Sequence, residues 1–267
     1  MKANVNGIET YYEIHGKEGA PWLVLSHSLA CSVRMWDGQI AALKDRFRVL
    51  AYDTRGHGQS AAPKGAYTLE QLADDLYGLL RNLKIDKAHF CGLSMGGMIG
   101  QTFALKYPGI FESLTLCDTT SRYPAAAAGM WQERIRIAES QGLKPLVQPT
   151  IERWFTEPFR KNRADEVKKI AAQIEKTPVP GYAGCCHAIP KIDLTARLKE
   201  IKCPALVICG EDDPGTPPAM AREIQQNLPG AKLVLIAQAA HLSNLEQPEA
   251  FNRALGEFLS APASARA

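Results

Sequence analysis

No apolar stretch in these 267 residues approaches the roughly 18 positions a membrane-spanning helix needs, so no membrane partner is expected. Residues 1–12 mix Lys, Asn and Glu with small side chains and lack an apolar core, so no secretory leader is expected there. A dominant charge is missing too. Lys and Arg number 31 against 28 Asp and Glu, a net +3, which gives no electrostatic footprint for nucleic acid. The seven cysteines include no Cys-x-x-Cys pair and no Cys/His spacing of a zinc site, so no metal is expected. Cys185 and Cys186 are adjacent, which discourages a bridge between them. Cys91, Cys117, Cys203 and Cys209 lie in or beside apolar runs, where a thiol behaves as a small hydrophobe. A reducing cytoplasm is the expected setting. Internal repeats are absent, and low complexity is confined to the alanines at 125–128 and a tail, 260–267, expected to fray.

What is present suits a soluble globular chain long enough to bury a full core, with 46% hydrophobic and 22% charged residues. Short apolar runs alternate with helical patterns. Strands are predicted at 22–26, 48–53, 88–92, 113–118, 205–211 and 232–237, and helices at 36–43, 68–83, 96–107, 218–228 and 248–259. The helix over 68–83 carries the clearest periodicity, and Thr68 with Gln71 forms a capping box at its start. Short apolar strands joined by crossover helices imply an α/β fold: a mostly parallel sheet flanked by helices. Between 121 and 191 the alternation stops. That stretch reads as helical, broken by Pro145, Pro149, Pro158, Pro178 and Pro180. It is best explained as a helical cap inserted into a core formed by 1–120 and 192–267.

Gly92-Leu93-Ser94-Met95-Gly96 fits Gly-x-Ser-x-Gly, with an apolar strand entering it and a small-residue helix leaving it. In that context a sharp strand-to-helix turn presents the serine hydroxyl, and its near neighbours must lack bulk. A serine hydroxyl is protonated at neutral pH and needs an adjacent base to attack. Of six histidines, His241 has the right placement, in a loop between the last strand and the last helix. The acid that fixes its tautomer should follow a strand and precede it. Asp213 is the choice, with Asp212 and Asp118 as rivals. His57 falls in a loop that Asp53 and Arg55 should pin. Backbone N–H groups of Met95 and Leu29, the latter in the loop after the first predicted strand, are the expected oxyanion donors, each worth roughly 3 kcal/mol in the transition state.

Together these residues resemble the α/β-hydrolase superfamily over nearly the whole chain. Closer features are similar to the 3-oxoadipate enol-lactonases. They are Ser28-Leu29 with Met35-Trp36-Asp37, Gly92 through Gly97, Glu152-Arg153-Trp154-Phe155-Thr156, Asp212 through Pro218, and Ala240 through Pro248. The Ser28-Leu29 pair is the most telling, and Ser28 occupies a place where many relatives carry glycine. His27 stands where the enol-lactonases often carry asparagine. The resemblance implies hydrolysis of a small anionic enol-lactone to 3-oxoadipate through an acyl-enzyme at Ser94, with no cofactor. On the same fold, the alternatives are a carboxylesterase, a cofactor-free perhydrolase or a carbon–carbon bond hydrolase. A non-catalytic ligand receptor is a further one, which a complete Ser94, Asp213 and His241 set argues against.

The insertion is the positive part of the chain. Residues 122–190 hold 11 Lys and Arg against 7 Asp and Glu, as an anionic substrate would favour. Within it Trp131, Arg134, Ile135 and Ala138 share one helical face, so Arg134 is a cation on an otherwise apolar stripe. It can fork a substrate carboxylate, or bury its stem and pair with a structural acid. Trp154 shares a face with Ile151 and Phe155, and it either contacts substrate or belongs to the cap's own core. Ser28, Trp131, Arg134 and Trp154 are the candidate substrate contacts.

Overall fold

A computed structural model describes residues 1–261. The chain opens with a hairpin, β1 (Lys2–Val5) and β2 (Ile8–His15). Its two-residue loop is Asn6-Gly7, both at positive φ (46° and 78°), the backbone a tight hairpin turn requires. Then come β3 (Trp22–Ser26), α1 (Asp37–Leu43), β4 (Arg48–Tyr52), α2 (Leu69–Asn82), β5 (Ala88–Leu93), α3 (Met95–Lys106) and β6 (Phe111–Cys117). Five helices follow without a strand: α4 (Ala128–Gln141), α5 (Lys144–Trp154), α6 (Glu157–Asn162), α7 (Ala164–Lys176) and α8 (Val179–Ala188). The alternation resumes with β7 (Ala205–Gly210), α9 (Pro218–Asn227), β8 (Lys232–Ile236), the short α10 (Ser243–Glu246) and α11 (Pro248–Ser260). Ser260 thus ends a helix, and the rest of the tail beyond Ala261 lies outside the described residues.

The strands form one eight-stranded sheet in the order β1-β2-β4-β3-β5-β6-β7-β8. β2 runs antiparallel to β4, and from β4 onward every pairing is parallel. β5 and β7 are buried along their whole lengths, as strands covered on both faces must be. The N-terminal hairpin was absent from the sequence reading. α2 has Thr68 as its N-cap, whose hydroxyl accepts from the Gln71 N–H at 3.1 Å.

Four of the five prolines expected to break the insertion stand at helix starts, where the breaks between its helices fall. Pro145, Pro158 and Pro180 sit in first turns, where a missing N–H costs nothing, and Pro178 is an N-cap. Pro149 alone stands inside a helix, on the exposed side of α5. The two ends of the insertion meet: Leu194 N–H donates to the Ser121 carbonyl at 2.8 Å, and Arg122 bridges Asp193. Its helices touch the core through Gly56 and Gly181. A Cβ on Gly56 would fall 2.3 Å from the Gly181 Cα, so neither position can hold a larger residue without moving the backbone.

Candidate active site

Ser94 sits at the sharp turn between β5 and α3 with φ 55° and ψ −115°, a conformation L residues avoid and hold only when the surroundings over-determine it. Those surroundings are specific. The Ser94 N–H donates to the Cys117 carbonyl at 2.8 Å, and its own carbonyl accepts from the Thr119 hydroxyl at 2.7 Å. A Cβ on Gly92 would meet the Gly96 carbonyl oxygen at 2.3 Å, and one on Gly96 the Ser26 carbonyl oxygen at 2.1 Å. The two glycines of the motif are therefore a packing requirement of the turn.

His241 follows β8 on a loop held by buried acids. Its Nδ1 lies 2.8 Å from Asp213 Oδ2. Asp213 lies just past β7 and also accepts from the Gly215 and Thr216 N–H groups at 2.8 and 3.0 Å and from the Thr216 hydroxyl at 2.7 Å. Burial alone would push this carboxyl up. His241 and Thr216 outweigh it and hold Asp213 below the usual carboxylate range. With Nδ1–H donated to the carboxylate, Nε2 is the ring nitrogen left to take a proton. The indole of Trp154 stacks on the imidazole, ring centres 6.1 Å apart.

The rival acids have other partners. Asp212 is exposed. Asp118 is fully buried at the end of β6. Its Oδ1 accepts from the Gly210 N–H at 2.8 Å and its Oδ2 from the Ser243 hydroxyl at 2.6 Å, so it braces the loops that carry Asp213 and His241. Burial, reinforced by the charge of Asp213, holds the Asp118 carboxyl well above the usual carboxylate range. Ligand atoms of Asp118, Cys209 and Asp213 lie within 4.8 Å of one another, a grouping that could hold a metal. The Cys209 thiol faces the Gly210 and Thr216 carbonyls, so all three are already committed to protein hydrogen bonds. The Asp53 loop is pinned as expected. Asp53 accepts from the Val33 and Gln59 N–H groups, each at 2.8 Å, and Arg55 pairs with Asp75 at 2.6 Å.

Ser94 and His241 open onto one cavity of about 260 Å³. All four candidate substrate contacts, Ser28, Trp131, Arg134 and Trp154, line it, as does Leu29. Met95 is the first residue of α3, so its N–H has no helical acceptor. Neither the Leu29 nor the Met95 N–H enters a turn or cap hydrogen bond among the described residues. The Ser28 hydroxyl is buried with no hydrogen-bond partner among the described residues. In α4 the stripe of Trp131, Ile135 and Ala138 is buried, while Arg136 points outward to Glu133. The Arg134 guanidinium lies over the Trp131 ring, 4.7 Å from its centre.

Sequence reading missed Arg153, one residue before Trp154, which lines the same cavity together with Tyr123 and Met220. Burial, then the neighbouring Arg134 charge, lowers Arg153 to about 10, which leaves it a cation at neutral pH. Among the described residues no carboxylate forms an ion pair with Arg134 or Arg153. The helical period that isolates Arg134 could have flagged Arg153 only if α5 had been placed against the cavity.

No helix among the described residues is long and apolar enough to cross a membrane. A model of the alpha/beta hydrolase fold matches residues 21–248. The chain is 38% identical to 3-oxoadipate enol-lactonase 2 of Acinetobacter baylyi over 91% of this chain and 90% of that one. It is 31% identical to the protein named "putative carbamate hydrolase RutD" of Agrobacterium fabrum, over 93% of this chain and 97% of that one. The crystal structure of the enol-lactonase from Burkholderia xenovorans LB400 superposes with a TM-score of 0.95 at 42% identity, covering 98% of this chain and all of that one. With its sheet order, its strained serine and these relatives, the chain belongs to the α/β-hydrolase family and is similar within it to the 3-oxoadipate enol-lactonases.

Proposed function

We propose that this hydrolase opens a small anionic enol-lactone, 3-oxoadipate enol-lactone, and that residues 121–191 act as the cap that selects it. The observation that carries the reading is the pair of guanidiniums, Arg134 and Arg153, that share a cavity with Ser94 and His241 and form no ion pair with a carboxylate among the described residues. Unpaired charge in a partly closed space is costly unless a ligand supplies the counter-charge. A lactone with a carboxylate arm supplies it, and the relatives named for that substrate carry the same inference.

In this mechanism Ser94 Oγ attacks the lactone carbonyl while His241 Nε2 takes its proton. The N–H groups of Leu29 and Met95 receive the oxyanion. Asp213 keeps the imidazole in the productive tautomer and stabilises the imidazolium. Collapse breaks the ring C–O bond, and the departing enolate takes the proton back and tautomerises to a ketone. A water deprotonated by His241 then attacks the acyl-enzyme, releasing the diacid and restoring Ser94. The Ser28 hydroxyl, buried and without a hydrogen-bond partner among the described residues, is available to the substrate.

Adding the purified protein to the enol-lactone and following loss of its ultraviolet absorbance tests the proposal. Rapid loss that requires Ser94 is the expected result. Faster turnover of neutral aryl esters than of the lactone would replace it with a carboxylesterase reading.

A further inference from the structure

His27 follows β3 and is completely buried. Both of its ring nitrogens are engaged. The Thr54 N–H donates to Nε2 at 2.9 Å, so that nitrogen carries no proton. The proton is therefore on Nδ1, which donates to the Ser28 carbonyl at 2.7 Å. Burial lowers the imidazole to about 4, so this donor pattern persists through the neutral range, and His57, 5.2 Å away ring to ring, is likewise held neutral.

The Ser28 carbonyl belongs to the same peptide unit as the Leu29 N–H. The described residues contain no cis peptide, and in a planar trans peptide these two groups point in opposite directions. Drawing the carbonyl toward the buried imidazole therefore turns the Leu29 N–H away from it, and Leu29 lines the cavity that holds Ser94. The Cys31 N–H reaches the same carbonyl at 3.2 Å, but that bond lies inside the turn and moves with it. Among the described residues the imidazole alone ties the peptide to a second strand, because Thr54 follows β4. The turn needs such a tie, since Ala30 sits at φ 58°.

We infer that His27 is a positioning residue: its Nδ1–H fixes the Ser28–Leu29 peptide plane so that the Leu29 N–H meets the oxyanion formed on the substrate carbonyl. The inference rests on acyl transfer at Ser94 and is independent of which ester or lactone reacts.

The test compares wild type, His27→Leu and His27→Asn on p-nitrophenyl acetate, with phenylboronic acid as a tetrahedral mimic. An oxyanion donor removed outright costs about 10²–10³ in kcat. A misaimed one should lower kcat by roughly 10- to 100-fold in His27→Leu. KM should move little, and boronate affinity should fall in step with kcat. His27→Asn, whose amide can donate to the same carbonyl, should recover most of both. A His27→Leu enzyme with undiminished boronate affinity overturns the inference, and so does one whose KM change accounts for the whole loss. Nitrogen-15 NMR of the imidazoles in the wild-type enzyme gives a reading that needs no variant to fold. A proton on Nδ1 of His27 is expected, and one on Nε2 overturns the assignment. If Ser94→Ala still hydrolyses the ester, the acyl-enzyme reading fails instead, and the two failures are distinct.

Discussion

Polar groups in the core and in the cap are held in opposite ways. Around His241 each buried acid is hydrogen-bonded by the protein: Asp213 by Gly215, Thr216 and His241, Asp118 by Gly210 and Ser243, and Glu246 by Ala240 and Thr156. Across the cavity the cap presents Arg134 and Arg153, one lying over an indole, neither paired with a carboxylate among the described residues. This hydrogen-bonded network presets geometry before any ligand arrives, which electrostatic catalysis demands. The arginine pair leaves charge for the ligand to complete. Where the regions join, Glu246 accepts from the Thr156 N–H and hydroxyl, each at 2.8 Å, and from the Ala240 N–H beside His241. One buried acid thus ties the cap to the loop that carries the proposed base.

The comparison breaks first at Ser94. Ser94→Ala should remove roughly 10⁴- to 10⁶-fold of kcat with fold and ligand binding kept, because members of such a set act as a unit. Retention of a tenth of the wild-type rate would show that the strained serine is not the nucleophile. Next is the division of labour among the acids. Asp213→Asn should cost about 10⁴-fold through the wrong histidine tautomer. Asp118→Asn can still accept from Gly210 and donate to Ser243, and Asp212 is exposed, so both variants should stay within roughly tenfold of wild type. A crippled Asp118→Asn enzyme with an active Asp213→Asn enzyme would reverse the assignment.

The cap's half of the comparison is sharpened by substrate charge. Removing one partner of a desolvated charge pair typically costs about 2–5 kcal/mol. Arg134→Ala and Arg153→Ala should each lower kcat/KM for the anionic lactone by at least about 30-fold, while a neutral methyl-ester analogue is handled much as before. Arg136→Ala, whose side chain pairs with Glu133 on the exposed face, should change little. Equal losses on charged and neutral substrates would mean that the arginines hold the cap together.

How far such a site can be read from the chain depends on how local its signal is. The turn at Ser94 declares itself through its glycines, because the contacts that forbid a Cβ there are built by the motif and the adjoining strand. Chain order was enough to nominate His241 and Asp213, since loops after parallel strands converge at one sheet edge. Helical period separated Arg134 from Arg136. Arg153 stands in the Glu152–Thr156 segment that resembles the enol-lactonases, but nothing local marks it as a substrate contact, because which way α5 faces the core is a tertiary fact. The N-terminal hairpin was legible and unread: Asn6-Gly7 between short alternating runs is a turn signal, but the flanking strands are polar enough to pass for an irregular start.

The smallest expected effect concerns stability and sets the two core acids against each other. Asp213 is depressed in the folded state, so its contribution is present above its unfolded value and is lost as pH falls. Asp118 is shifted the other way. Between the ordinary carboxylate value near 3.9 and its raised folded value, the folded chain binds more protons at Asp118 than the unfolded chain does. Stability arising from Asp118 therefore declines as pH rises through that window. Asn at this position keeps both hydrogen bonds and does not titrate. Asp118→Asn should thus melt close to wild type near pH 4 and above it at higher pH, the difference opening as pH rises through that window. Each kcal/mol recovered should appear as roughly 2–4 °C in Tm for a chain of this size. Melting curves of both proteins at half-unit steps from pH 4 to 8 give the answer. A gap that stays flat or narrows with rising pH would mean that Asp118 is ionised without penalty, and that the brace between the Asp213 and His241 loops depends on its charge.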